Sequence, residues 1–586
     1  MLKIFRYINP MEWLMAGISL IFIVTSVWLD LKMPEYMSEI TKLVQTPGSA
    51  MADIWAAGGY MLLCALGSLA GAIIVGFFAA RIAASFSKRL RGMLFDKVES
   101  FSMEEINRFS TSSLITRSTN DVTQVQMLVT MALQLIVRSP IMAVWAIMKI
   151  VGKGYEWTLM TGVVIGVMML MVVVLMIFVF PKFRIMQRLT DNITRVTREN
   201  LTGLRVIRAY NAERYQEGRF EAANEELTAT HLFTNRAMVI MMPIMNMMMS
   251  GLALAIYWIG AYMIDGAGAA DRLAIFANMV VFSQYAMQVI MSFMMLVMIF
   301  FMLPRASVSA KRINEVLDAK SAIADGAAGE GLPGLSGEVE FRNVSFKYPG
   351  AADYVLENVC FNVKKGETVA LIGSTGSGKS TLVNLIPRFY DATEGEVLVD
   401  GVNVKDYKLE ALYNKIGYVP QRAVLFDGTV SSNVGYGENG TDGFSEEDIK
   451  WAVGIAQGAD FVEQMEGGYE GAIARGGTNV SGGQKQRLSI ARAVCRKPEL
   501  YIFDDTFSAL DYKTDRALRS ELKRSTAGVT SIIVAQRIGT IMDADRIIVL
   551  DEGKTAGIGT HKELLRDCAV YREIAMSQLK EEELAS

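Results

Sequence analysis

Thr368-Val369-Ala370-Leu371-Ile372-Gly373-Ser374-Thr375-Gly376-Ser377-Gly378-Lys379-Ser380-Thr381 decides the fold of the second half of this chain. A short β-type apolar run leads into a glycine-rich loop, and a helix-compatible stretch follows. Strand, loop and helix in that order are what a phosphate-binding loop requires. The glycines let backbone N–H groups wrap phosphate oxygens, Lys379 supplies a cation to the β and γ oxygens, and the Ser380 hydroxyl can ligate Mg²⁺. Further on, Leu500-Tyr501-Ile502-Phe503 reads as a buried strand ending in Asp504, the second group needed to hold Mg²⁺. Everything after Gly337 has this soluble α/β character.

Working outward, the chain of 586 residues is too long for one compact core. Apolar residues make up 51% while charged ones hold at 20%, which points to a membrane part joined to a soluble part. A net charge of −3 gives no sign of nucleic-acid binding. Cys64, Cys360, Cys495 and Cys568 are scattered without metal-ligand spacing, so reduced, structural thiols are expected rather than a disulfide framework or a zinc site.

The first half carries uncharged apolar runs near 13–29, 54–80, 139–148, 157–180, 237–264 and 273–303. Most exceed the roughly 20 residues a helix needs to cross a bilayer. The first, though preceded by Lys3 and Arg6, is too long for a signal peptide and no small-residue cleavage site follows it. The third is short because Arg138 and Lys149 bound it; a helix from about Leu128 to Val151 spans if those side chains snorkel, and an intramembrane charge with a function at Arg138 is the other reading. Lys and Arg accumulate after the second span (Arg81, Lys88, Arg89, Arg91), the fourth (Lys182, Arg184, Arg188) and the sixth (Arg305, Lys311, Arg312). That asymmetry puts both termini inside. The long charged segments between spans two and three and between four and five favour helix, so the spans are expected to continue into the cytosol. The expected organisation is an all-α six-helix transmembrane domain over 1–318, a Gly/Ala/Ser linker over 319–336 and an α/β domain over 337–586.

Val480-Ser481-Gly482-Gly483-Gln484, ahead of Asp504, makes the resemblance specific: it is similar to the signature motif of ATP-binding cassette (ABC) proteins. Gln421 resembles the Q-loop glutamine, Ser508-Ala509-Leu510-Asp511 the D-loop, and Tyr348 the aromatic residue that stacks on adenine. Segments 107–122 and 203–214 resemble the two intracellular loops whose tips dock on cassettes. Six spans followed by one cassette is the half-transporter arrangement of ABC exporters. The resemblance implies that Tyr348, Gly373 to Thr381, Gln421 and Asp511 serve ATP bound by this chain. Ser380, Gln421 and Asp504 would attend Mg²⁺, and Ser481 to Gln484 would face a γ-phosphate held by a second cassette. ATP and Mg²⁺ are thus the expected cofactors, and a bacterial plasma membrane the expected location.

The chain departs from the family at the two catalytic positions. Asp505 stands where the family usually has Glu, and Gln536 replaces the switch histidine; His231 and His561 are the chain's only histidines. The shorter carboxylate sits back by about 1 Å, and misplacement on that scale can cost on the order of 10²-fold in rate. Glutamine can bond the γ-phosphate but cannot carry the charge an imidazole gains. The signature is intact, so the resemblance implies a heterodimer in which this half completes the productive site of a different half-transporter; a slow homodimer is the plainer alternative. Methionine-rich stretches Met241–Met249 and Met287–Met298 suit varied hydrophobic substrates, although ordinary packing explains many of them equally. Gln284, Gln288 and Ser292 share one face of span six, either lining a cavity or bonding between helices. Multidrug-type export is the leading expectation. A lipid, peptide or siderophore transporter, an importer included, and a non-pumping ATP-binding subunit remain open.

Overall fold

A computed structural model of the chain describes residues 2–46, 48–151, 153–268, 271–437 and 443–578, without the side chains of Leu2, Met176, Phe180, Arg184, Met298, Phe300, Phe301 and Pro304. The expectations touching Arg184, Met298 and the last residues of the α/β domain therefore lie outside the described residues. The chain divides into two compact units: 1–99 with 112–319, and 100–111 with 320–586.

The first unit contains six helices long and apolar enough to cross a membrane. They run Pro10–Gln45, Met51–Glu99, Thr111–Ile150, Tyr155–Thr202, Glu213–Asp265 and Arg272–Leu317. Each extends beyond its apolar run, as helix-favouring polar flanks predict. The third begins far ahead of Leu128 and includes π-helical turns at Arg117–Asp121 and Ala132–Ile136, each of which shifts the helix face by one residue. The sixth helix is the hub: Phe282, Tyr285, Ala286 and Val289 are fully buried against Ile23, Val27 and Leu31 of the first and Trp157 of the fourth. The polar tips of these aromatics are satisfied inside the core, since Tyr285 donates to the Leu31 carbonyl at 2.8 Å and Trp157 to that of Ile256 at 3.1 Å.

The charges of the third helix are paired with carboxylates of the first. Arg138 bonds Asp30 of the first helix at 2.7 Å, and Ser68 of the second donates to the other oxygen of that carboxylate at 2.5 Å. Lys149 pairs with Glu35 at 2.6 Å, which also holds Lys32 at 2.7 Å. Opposite charges on the first helix offset the cost of placing each cation in an apolar surrounding. On span six, Ser292 donates to the Gln288 carbonyl of its own helix, not to a neighbour, and Gln284 is exposed. The methionines split: Met245 is buried in the core while Met242 and Met247 are exposed.

The second unit has a six-stranded sheet ordered 554–559, 546–551, 368–373, 530–534, 500–504 and 416–419, parallel except at its first edge. Val369 and Leu371 enter one hydrophobic core and Ala370 and Ile372 another, which is why the strand reads as continuously apolar. A smaller antiparallel sheet, ordered 356–363, 339–346, 394–399 and 402–403, packs on the first of these cores. The segment that composition marks as a linker is tied down: Gly326, Ala328 and Leu332 donate backbone bonds to Tyr407, Asp406 and Asp400. All four cysteines are free.

Replacing Arg138 by Met leaves Asp30 with Ser68 as its remaining partner and should lower the stability of the membrane unit by about 1–2 kcal/mol. Adding Asp30→Asn should recover most of it. Thermal unfolding of the three variants in lipid nanodiscs checks this, and equal loss in single and double variants would count against the pair.

Candidate nucleotide site

The parallel strands deliver the site at their carboxyl ends, where an open α/β sheet leaves a crevice. Strand Thr368–Gly373 runs into the loop, strand Leu500–Asp504 ends on both carboxylates, strand Thr530–Val534 leads to Gln536, and strand Ile416–Val419 leads to Gln421. Four segments distant in sequence thus converge because their strands are neighbours.

Within the loop, Ser374, Thr375 and Gly376 are exposed while Ser377, Gly378 and Lys379 are buried. Gly378 has φ +92°, and a Cβ there would lie 2.7 Å from a Leu356 methyl and 3.0 Å from the Val355 carbonyl, so only glycine fits. Gly376, at φ +88°, opens onto free space. The Lys379 ammonium curls back onto the carbonyls of Gly373 at 2.9 Å and Ser374 at 2.7 Å. Burial lowers its hold on its proton, opposed by Asp505 and Asp504, and no carboxylate is paired with it directly among the described residues. A buried ammonium resting on carbonyl oxygens within a glycine-rich loop that leads into a helix start fits a polyphosphate.

Ser380 donates to Asp504 at 2.8 Å, bringing together the hydroxyl and carboxylate expected to attend Mg²⁺. Burial pushes the Asp504 carboxyl above its ordinary range, with the Ser380 bond opposing, so a cation here would meet a group strongly in need of a countercharge. When bound, Mg²⁺ would neutralise charge on the β and γ oxygens. Gln421, also expected beside the metal, donates to Asp505 Oδ2 at 3.0 Å. Gln536 donates to the same oxygen at 2.6 Å. Asp505 itself has left-handed backbone, φ +46°, a conformation Asp tolerates better than most residues.

Ser481 caps the helix Gly482–Cys495: its Oγ accepts from Gln484 N at 3.3 Å, and Gln484 Oε1 accepts from Ser481 N at 2.8 Å. This capping box explains the spacing of Ser481 and Gln484 locally. Ser481 and Gly482 are exposed, leaving the helix start open to another molecule. Asp511 caps the next helix by accepting from Thr514 N at 3.0 Å. At the adenine end, Tyr348 shares a hydrogen bond of 3.0 Å with Thr381 and meets Tyr390 edge-on at 5.3 Å.

Two supports were not legible in the sequence. Gln578 of the last helix brackets the Gln536 segment, donating to the Gln536 carbonyl at 2.7 Å and accepting from Ile538 N at 2.9 Å. Of the two expected docking loops, 203–214 groups with the membrane unit, and the part of the first that joins the cassette is 100–111, starting ahead of Asn107. The reason is a capping box, Ser102 to Glu105, which starts a fresh helix at Met103; the S-x-x-E pattern was the available signal.

Residues 16–293 match the family described as the ABC transporter transmembrane region, and residues 356–508 the family described as ABC transporter. An uncharacterized ABC transporter ATP-binding protein of Mycobacterium tuberculosis is 37% identical, over 98% of this chain and 97% of its own. The Bacillus subtilis ABC transporter ATP-binding protein YfiB is 34% identical over 99% of both chains. An ATP-dependent lipid A-core flippase of Pseudomonas fluorescens is 31% identical over 86% of this chain and 82% of its own. Among solved structures, a bacterial Atm1-family ABC exporter with ATP bound superposes with a TM-score of 0.81 at 23% identity, covering 97% of this chain and 99% of that one. With a transmembrane region, a cassette and near full-length relatives all matched, this chain belongs to the ABC transporter family, as a half-transporter with the fold of an ABC exporter.

Proposed function

We propose that this chain is one half of a heterodimeric ATP-driven exporter of hydrophobic or amphiphilic compounds, with both termini cytoplasmic in a bacterial plasma membrane. Its own site binds MgATP and hydrolyses it slowly, while its signature motif completes the productive site of a different half-transporter.

The observation that carries this reading is the state of the Asp505 carboxylate, one oxygen of which accepts from both Gln421 and Gln536. A general base must offer a free lone pair to the attacking water. Here the shortened side chain is turned to two amides, neither of which gains charge as the γ-phosphate leaves. Binding groups are whole by contrast, since Lys379, Ser380 and Asp504 stand ready for phosphate and Mg²⁺. Intact binding with weakened cleavage is sensible only if a second, competent site exists. Ser481 and the exposed start of its helix are what this chain would lend to it.

For the cargo, exposed methionines beside a methionine-containing core favour an adaptable apolar surface. The relatives named lipid A-core flippases favour a second reading, a lipid-like amphiphile as the substrate. Stimulation of ATPase by lipid but not by drug-like compounds in proteoliposomes would select it.

Purified alone, the chain should show little ATPase, and co-expression with its partner should restore it. Rapid turnover by the isolated chain would overturn the heterodimer. In the pair, Ser481→Ala or Gly483→Asp should lower ATPase by about 10²-fold or more, because helix N-terminal donors to the partner's γ-phosphate are lost. Asp505→Glu alone should raise hydrolysis at this chain's site only slightly, and Asp505→Glu with Gln536→His more than additively. Conversion of trapped radiolabelled ATP to ADP reads this directly; fast conversion in the wild type would show that the two replacements carry no kinetic cost.

A further inference from the structure

The last helix, Ala569–Gln578, is set against the cassette core by one face. Tyr571 and Ala575 are fully buried, and the Tyr571 hydroxyl meets His561 Nδ1 at 2.7 Å. Residues 571, 575 and 578 lie one above the other on a helix, so burial of the first two turns Gln578 to the same side. There a single amide serves two backbone groups: Gln578 Nε2 donates to the Gln536 carbonyl at 2.7 Å, and Gln578 Oε1 accepts from Ile538 N at 2.9 Å. The segment so held has just left the sheet. Ala535 N still bonds the Leu371 carbonyl of the neighbouring strand, and the short helix Ile538–Ile541 begins after Arg537. Across 536–538, then, Gln578 does what a neighbouring strand would do. The Gln536 side chain itself is exposed, so packing does not aim it; its direction follows from this backbone, and its amide ends 2.6 Å from Asp505 Oδ2.

We propose that Gln578 is a positioning residue for the nucleotide: it fixes the backbone from which Gln536 reaches the terminal phosphate of ATP, and so contributes to the preference of this site for ATP over ADP. The inference rests on the role proposed for Gln536 at the γ-phosphate. An exposed amide carried on a loose segment must lose its freedom when the phosphate arrives, and that loss subtracts from affinity. Carried on a segment already bonded at both Gln536 and Ile538, it meets the phosphate with that ordering done. ADP has no terminal phosphate, so its binding to the loop and Lys379 gains nothing from Gln578. The end of the chain thereby becomes part of the ATP site without touching the ligand.

The test uses the full-length chain in lipid nanodiscs and compares MgATP with MgADP binding. Gln578→Ala should weaken MgATP binding roughly three- to tenfold, the size of one lost hydrogen bond, and leave MgADP binding unchanged. Gln536→Ala should weaken MgATP binding at least as much, and adding Gln578→Ala to it should cost nothing further, because one residue acts through the other. Gln578→Glu supplies a signature that simple packing would not move. The introduced carboxyl can accept from Ile538 N in either state but donates to the Gln536 carbonyl only when protonated, so the site favours its protonated form and lifts its pKa above the usual value of about 4.3. Relative to the wild type at the same pH, this variant should bind MgATP normally at about pH 5 and as weakly as Gln578→Ala by about pH 8. A loss in Gln536→Ala that is absent from Gln578→Ala, an equal loss of MgADP binding, or a Gln578→Glu affinity that follows the wild type at every pH would overturn the proposal. Unchanged MgATP binding in Gln536→Ala would overturn the role of Gln536, and this proposal with it.

Discussion

Backbone N–H groups can wrap a polyphosphate only where a strand stops abruptly and glycine turns the chain before a helix begins, and the cassette is organised around that one stop. Strand Thr368–Gly373 sits between 546–551 and 530–534, which in turn borders 500–504. Parallel register brings Val534 opposite Asp504 and Leu550 opposite Gly373, so every group with work to do at the phosphates emerges at the same level. The two cores on the sheet's faces keep that level fixed. A shift of one residue in any central strand would turn its side chains into the wrong core, which gives the site its rigidity.

Within that frame two sets of side chains are bonded separately. Lys379, Ser380 and Asp504 meet through direct hydrogen bonds or backbone carbonyls that a phosphate and a metal can take over. Asp505 accepts from Gln536 and from Gln421 at one and the same oxygen. The left-handed backbone at Asp505 adds a local reason for aspartate, since its short side chain suits that conformation better than glutamate's.

The membrane unit solves a different problem, that of ionic groups in a poor solvent. Asp30 and Glu35 on the first helix meet Arg138 and Lys149 on the third, so charges that would each be costly in hydrocarbon become pairs. The sixth helix, buried along its Phe282 to Val289 face, gives these helices a common surface to pack on. π-helical turns at Arg117–Asp121 and Ala132–Ile136 rotate the third helix enough for Asp121 to meet Ser309 of the sixth at 2.7 Å.

Six spans, the α/β half and the phosphate loop were legible in the sequence because each depends on a local pattern: an apolar run of spanning length, a short continuously apolar strand, glycines at fixed spacing. That Ser481 and the glycines after it open a helix was legible for the same reason, as the cap acts within one turn of helix. Tertiary structure alone decided what Arg138 does, because its answer lies in Asp30, more than a hundred residues earlier. It also brought Gln421 to Asp505, and Asn107, Tyr390, Tyr348 and Thr381 into one chain of contacts. Partners brought together by strand order and helix packing leave no periodicity behind, so composition and spacing determine which groups this protein carries, and the fold determines which of them meet.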